Sequence, residues 1–125
     1  MSGTPAPSGE SFPPRARLRK KREFERVFSA GMRCSAPALR LIIARNEAGI
    51  PRLGLAVSRK VGGAVIRNRL KRRLREIFRR ERGLLPEPLD IVVVPQAGAD
   101  LLSFAELREQ FLRAAAQWRP KGERR

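Results

Sequence analysis

The sequence predicts a small α+β fold, a two-layer sandwich in which helices pack on one small mixed sheet. Apolar residues recur at helical spacing in three segments, alternate with a period of two in two more, and cover both faces of one short segment. In chain order these segments read helix, strand, strand, helix, strand, helix. With 125 residues, the chain has room for one compact domain with a single core.

A tail precedes the predicted domain. Residues 1–14, MSGTPAPSGESFPP, contain four prolines and almost no apolar periodicity, so we expect a disordered segment. The domain should then span residues 15–119, and residues 120–125, PKGERR, should form a basic tail.

The domain should open on a short helix with a basic lead-in. Phe24, Val27 and Phe28 fall on one helical stripe, and Gly31 suits the left-handed position past the helix end.

Two strands should follow. Residues 38–45, ALRLIIAR, and residues 52–58, RLGLAVS, both alternate with a period of two, and the turn NEAGIP lies between them. We therefore expect the two strands to pair as a hairpin. Gly54, Ala56 and Ser58 share one face of the second strand and leave it nearly flat, so another group can approach that backbone closely.

The remaining elements are a long helix, an interior strand and a capped helix. The long helix is predicted over residues 64–82, where an apolar stripe is formed by Ile66, Leu70, Leu74 and Ile77. Residues 89–95, LDIVVVP, are apolar on both faces, as is typical of an interior strand. Ser103 and Glu106 match a capping box, and an amphipathic helix should follow them to about Trp118.

The charge balance indicates a polyanionic partner. The chain has 28 Lys and Arg against 12 Asp and Glu, a net charge of +16, and such a field attracts nucleic acid or an anionic membrane surface. A biased genome is an equally good source of so many arginines. No apolar run is long enough to span a membrane and no signal-peptide core is visible, so we expect a cytoplasmic protein.

The residue types exclude the common catalytic constellations. The chain has no His and a single Cys, Cys34, so neither a nucleophile with its base nor a thiolate zinc site can be assembled. Asp90, Asp100 and ten scattered Glu do not indicate a two-metal nuclease site.

The helix over 64–82 is the strongest binding candidate. Its outer face carries Asn68, Arg72, Arg75 and Arg79, and like charges three and four residues apart repel each other unless an anion relieves them. A merely solvated face is the alternative. The mixed signs of an ordinary solvated face are missing here, which favours polyanion binding, with RNA phosphates as suitable ligands.

Two weaker signals lie nearby. Phe24 and Phe28 sit among basic residues, a mixture that binds single strands by stacking and phosphate attraction, although aromatic residues at this spacing more often belong to a core. The glycine-containing segment 58–64, SRKVGGA, fits either a phosphate cradle at a helix start or an ordinary turn.

These residues resemble a known family. Residues 61–75, VGGAVIRNRLKRRLR, are similar to the signature of the bacterial ribonuclease P protein subunit, Arg-Asn-Arg followed by a basic helix. The resemblance covers residues 15–119 and extends to the family's opening helix, to the strand before the motif and to its last strand, which match RLRKKREFERVFSAG, RLGLAVSRKVG and LDIVVVPQAGA.

The resemblance implies a function and a fold. Such proteins bind a large catalytic RNA and help it to remove the 5′ leader of precursor tRNA, while the RNA supplies the Mg²⁺-dependent hydrolysis and the protein binds no cofactor. The implied fold is the ribosomal protein S5 domain 2-like fold. It has a left-handed crossover between the strands at 52–58 and 90–95, against the usual right-handed rule.

The resemblance also implies two sets of binding residues. Contacts to the catalytic RNA would come from Arg67, Asn68, Arg69, Lys71, Arg72 and Arg75. The precursor tRNA leader would lie in a central cleft between first helix and sheet, lined by Phe24, Phe28, Ile42, Ser58, Arg59 and Lys60. Ile42 stands where the family often has a tyrosine, so the resemblance does not by itself imply a stacking contact at this position.

Three other functions fit parts of the sequence. A ribosomal protein would show similar charge and a similar basic helix, and a stand-alone nuclease would cut RNA without a partner. A helix-turn-helix DNA-binding protein is disfavoured because no second helix lies a short turn before the basic one.

Overall fold

The computed structural model describes residues 14–123, which form three α-helices and one four-stranded sheet. The α-helices and strands are α1 (Lys21–Ala30), β1 (Met32–Ser35), β2 (Leu39–Arg45), β3 (Arg52–Leu55), α2 (Ala64–Glu81), β4 (Leu89–Pro95) and α3 (Phe104–Ala115). The predicted α+β class is confirmed. Within the described range no helix is long and apolar enough to cross a membrane.

The predicted N-terminal tail falls largely outside this range, whereas most of the predicted C-terminal tail falls within it. Of the tail predicted over residues 1–14, only Pro14 is described, as the start of a 3₁₀ turn, Pro14–Ala16. Of the basic tail predicted over residues 120–125, the last two residues lie outside the described part.

The sheet is mixed and has the strand order β1-β2-β4-β3. β1 with β2 and β2 with β4 are antiparallel, whereas β3 with β4 is parallel. β4 is therefore an interior strand, as its two apolar faces predicted, and all of its residues except Val94 are buried.

The predicted hairpin between residues 38–45 and 52–58 is wrong. β4 lies between the two strands, because only a strand with two apolar faces fits the middle of a sheet covered on both sides. β2 pairs instead with β1, a strand that no apolar pattern predicted because only Cys34 of its four residues is buried. The parallel pair β3 and β4 requires a crossover, and the chain makes it through α2. The left-handed sense of this crossover stays a prediction.

The larger part of the core lies between one face of the sheet and helices α2 and α3. The buried side chains of this core include Leu41, Ile43, Ile91, Val93, Leu70, Leu74, Ile77, Phe78, Leu107 and Phe111. Three residues of the predicted stripe of α2, Leu70, Leu74 and Ile77, thus belong to this core, whereas the fourth, Ile66, is half-buried and lies outside it. The predicted capping box of α3 is also present: Ser103 Oγ accepts the Glu106 N–H at 3.1 Å, and Glu106 Oε1 accepts the Ser103 N–H at 2.8 Å.

A smaller core lies on the opposite face of the sheet, beneath α1. It is formed by Leu18, Val27, Ile42, Ala44 and Val92. Gly31 lets the end of α1 approach this face, because a Cβ there would lie 2.5 Å from the Val27 carbonyl oxygen and 2.6 Å from Ile42 Cγ2. The predicted left-handed conformation is wrong, since Gly31 is extended, with φ −84°.

Candidate nucleic-acid interface

One side of α2 forms a band of basic and polar side chains. The band consists of Arg67, Asn68, Lys71, Arg72 and Arg75, which follow each other at helical spacing. Asn68 and Arg72 are exposed, and the other three are half-buried. Within residues 14–123, none of these five side chains forms a hydrogen bond or an ion pair with a carboxylate. Their hydrogen-bond donors are therefore available to a ligand.

Arg69, the sixth residue expected to contact catalytic RNA, is exposed on the other flank of α2. It lines a cavity of about 150 Å³ together with Arg73 and Leu101. The helix therefore brings five of the six predicted residues together in one band and places the sixth, Arg69, at the edge of that band, three residues before Arg72.

Other arginines of α2 bind within the protein. Arg79 Nη2 lies 2.6 Å from Glu76 Oε2, and Arg80 Nε lies 2.7 Å from the same oxygen. Arg80 also lies over the ring of Phe104, 5.3 Å from its centroid. The hydrogen bond from Arg79, aided by Arg80, lowers the pKa of Glu76 to about 2. Arg79 is thus on the outer face, as predicted, but it is ion-paired.

A basic recess joins the band to the segment before α1. Arg17 and Arg19 meet Lys71 and Arg75 around a cavity of about 140 Å³ at the edge of β3. The pKa of Arg75 is lowered, first by burial and then by the positive charge of Arg17. An anion in the recess would relieve this repulsion. The sequence shows the basic lead-in, but only the fold shows that it meets α2.

A groove crosses the sheet beside α1. Arg26 fixes the orientation of the helix, because it binds Asp90 and donates to the Arg45 carbonyl oxygen at 3.5 Å. Phe24 and Phe28, each two residues from Arg26, must project from the other side of the helix. On the same face of the sheet, a row of side chains crosses the strands, one from each strand or from the residue after it. Phe24 and two members of this row, Ala56 and Val94, pack against the smaller core. The row consists of Ala56, Val94, Arg40 and Ser35, and this row beside the two rings is the groove.

The two rings differ in burial. Phe28 is 40% exposed, whereas Phe24 is half-buried against the smaller core. The Phe24 ring lies over Gly54, where a Cβ would be 2.9 Å from the ring. The group that approaches the flat face of β3 is therefore Phe24 itself.

The remaining predicted leader contacts also differ in accessibility. Ile42 is only 2% exposed, because strand alternation directs it beneath the end of α1, so its side chain supports the groove from below and is not on the surface. Ser58, Arg59 and Lys60 are exposed in the connection that leads to α2, where Ser58 Oγ accepts the Lys60 N–H at 3.3 Å.

An α+β domain with a basic band on one helix and a groove lined by aromatic side chains across its sheet defines an RNA-binding protein. Residues 12–119 match the family model described as Ribonuclease P. The chain is 39% identical over 107 residues to the ribonuclease P protein component of Thermotoga sp. strain RQ2, covering 82% of this chain and 92% of that one. It is 44% identical over 87 residues to the Thermotoga maritima protein component, covering 70% and 74%.

Solved structures agree with the sequence relatives. The Thermotoga maritima RNase P protein in complex with 1-(4-fluorophenyl)-2-thiourea matches with a TM-score of 0.76 and 36% identity, over 82% of this chain and all of that one. The Staphylococcus aureus RNase P protein matches with a TM-score of 0.74 and 26% identity, over 81% and 93%. This chain therefore belongs to the ribonuclease P protein family, whose function is 5′ processing of tRNA.

Proposed function

We propose that this chain is the RNA-binding subunit of a cytoplasmic ribonucleoprotein, in which a catalytic RNA hydrolyses precursor tRNA with Mg²⁺. The observation that carries the proposal is the band on α2, where five side chains have no hydrogen-bonding or ion-pairing partner within residues 14–123. Its arginines suit bidentate phosphate contacts, and the closely spaced phosphates of folded RNA match such a helix face.

The groove is the proposed site for the 5′ leader. A single strand can stack a base on the exposed ring of Phe28 while its phosphates meet Arg59 and Lys60. Phe24 supports Phe28 from the same side of α1. Sequence-independent binding of this kind suits leaders that differ from one tRNA to the next.

The assignment of hydrolysis to the RNA rests on the state of the carboxylates. Asp90 is buried, and Glu76, Glu81 and Glu87 are each bound by an arginine at 2.5–2.6 Å. The described residues contain no cluster of three acidic or Cys side chains, and the chain has no His, which supports a protein that does not itself supply the acid and base for phosphodiester hydrolysis. Mg²⁺ would accordingly be bound by the RNA subunit.

Reconstitution tests the proposal. The purified protein with Mg²⁺ should leave precursor tRNA intact, and addition of a cognate catalytic RNA should give cleavage at the mature 5′ end. The protein should also lower the concentration of Mg²⁺ that the RNA requires, because it supplies positive charge. Cleavage at that site by protein free of RNA would contradict the proposed division of roles.

A further inference from the structure

Two arginines with no assigned role lie at one end of the groove. Arg33 of β1 is opposite Ile42, and Arg40 of β2 is opposite Ser35. The two are therefore diagonal neighbours on the same face of the sheet, a relation in which side chains stand about 7–8 Å apart at their base. Both are exposed, and within residues 14–123 neither side chain forms a hydrogen bond or ion pair.

The end of α1 leaves this corner of the sheet open. The helix ends at Ala30, and Gly31 covers Ile42, whereas Arg40, one row further along the strands, is exposed. No carboxylate lies in the row of four residues that forms the groove floor. Like charges on neighbouring strands repel each other, so an anion bound between the two arginines would be stabilised.

The groove thus has cations at both ends and aromatic rings between them. At the β3 end lie Arg59 and Lys60, and at the β1 end lie Arg33 and Arg40. Four strands spaced about 4.8 Å apart make the floor about 14 Å wide, which exceeds the length of one nucleotide. The connection after Lys60 continues directly into α2, the proposed site for the catalytic RNA.

We propose that Arg33 and Arg40 bind backbone phosphates of the distal part of the 5′ leader. This inference rests on the proposed function. Because the β3 end of the groove adjoins α2, leader nucleotides next to the cleavage site lie at that end, and nucleotides further upstream reach the β1 end. The contact is electrostatic and independent of base sequence, and it extends leader binding across the whole sheet.

The test is a series of precursor tRNAs with progressively shorter leaders, bound by the holoenzyme reconstituted with wild-type protein, Arg33→Ala, Arg40→Ala or the double variant. Each substitution should weaken binding of the long-leader substrate roughly two- to five-fold, as for an exposed charge pair. The salt dependence of log K should lose about 0.7 in slope per arginine. Neither effect should appear with the shortest leader, and Arg40→Lys should retain most of the affinity.

Arg45→Ala is the matched control. Arg45 lies on the same strand as Arg40, and its substitution by Ala removes the same charge. Strand alternation places Arg45 on the other face of the sheet, where it pairs with Glu87 at 2.5 Å. It should not alter the dependence on leader length. Thermal unfolding of each variant, and Arg40→Gln as a second substitution, separates binding from folding.

Two results would overturn the inference. One is an equal loss for Arg45→Ala and the double variant. The other is a double variant whose affinity for long leaders equals that of the wild type, or is reduced equally at every leader length. Failure of the proposed function would look different, because the wild-type protein would then give no cleavage with catalytic RNA and no leader-dependent affinity.

Discussion

Phe24 and Phe28 lie one helical turn apart, but their surroundings give them different roles. The ring of Phe28 is 40% exposed and contributes little to the core, whereas Phe24 packs between the smaller core and Gly54. The spacing alone cannot separate a core ring from a stacking platform. Only the docking of α1 through Val27, which is fully buried, decides which ring faces the groove.

Truncation of the two rings should therefore have different effects. Phe28→Ala should cost less than about 1 kcal/mol of unfolding free energy and about 1–3 kcal/mol of leader-dependent affinity. Phe24→Ala should cost up to about 3 kcal/mol of stability, near the lower limit for a buried ring. Thermal unfolding beside affinity for precursor tRNA with and without leader gives both quantities. If Phe28→Ala is the more destabilising of the two, or leaves leader affinity unchanged, the assignment of roles is wrong.

At the scale of elements, α2 carries two groups of arginines: some form ion pairs within the protein, and others, such as Arg72 and Arg75, have their donors available for RNA. Arg72→Ala or Arg75→Ala should weaken binding of the catalytic RNA and reduce the salt slope of log K by about 0.9 each, one duplex phosphate contact. Arg80→Ala, on the same helix, is the control, because Arg80 binds Glu76 and Phe104. Filter binding at several salt concentrations measures the slopes. Equal slopes for Arg80→Ala and Arg72→Ala would mean that only the overall charge matters.

Glu76 links the stability of α2 to pH. The pKa of Glu76 is lowered from 4.5 to about 2, mainly by the hydrogen bond from Arg79. The ionised carboxylate therefore contributes fully to the free energy of unfolding above pH 4.5, and this contribution is lost as pH falls towards 2. Glu76→Gln should therefore be about 1 kcal/mol less stable than wild type at pH 6, the screened value for surface pairs, and the difference should shrink progressively as pH falls towards 2. Urea unfolding across this range measures it.

Glu109→Gln serves as the comparison for Glu76→Gln. Glu109 pairs with one arginine, Arg113, at 2.8 Å on the exposed side of α3, and its side chain is 60% exposed. The substitution should change stability less than Glu76→Gln does. A constant difference between wild type and Glu76→Gln from pH 6 to pH 2 would show that the carboxylate charge is not the cause.

Local patterns predicted α2, β4 and α3 because each buries a face that repeats within its own segment. They failed for β1, where the exposed Arg33 and Ser35 flank a single buried Cys34, and for the partner of β2, because pairing depends on a strand 50 residues away. The binding band on α2 follows from its helical period. The recess with Arg17 and the exposed corner with Arg40 depend on strand order, which no local pattern contains.

At the scale of the whole molecule, the helices on the two faces of the sheet are held by hydrophobic cores of different size. α2 and α3 share the larger core, while α1 depends on the smaller one and on Asp90. The buried Asp90 carboxylate accepts from Arg52 at 2.8 and 2.9 Å and from Asn46 at 2.8 Å, and it also binds Arg26 of α1. The element that presents Phe28 to the groove is thus attached through few contacts, so it should open at lower free energy than the rest of the fold.

Asp90→Asn should expose this difference. The substitution removes the buried carboxylate that Arg26 and Arg52 share, while Arg52 keeps the carboxylate of Glu23 at 3.9 Å. It should cost about 3 kcal/mol, the lower range for a broken buried ion pair, because both arginines can reach solvent. Hydrogen exchange should show the largest loss of protection in α1 and a smaller loss in β2 and α3. Glu87→Gln, which breaks the exposed pair with Arg45, should leave α1 protection nearly unchanged. An equal loss of protection in α1, β2 and α3 of Asp90→Asn would mean that α1 opens only when the whole fold opens. Leader binding would then depend on the global stability of the domain rather than on the docking of α1 alone.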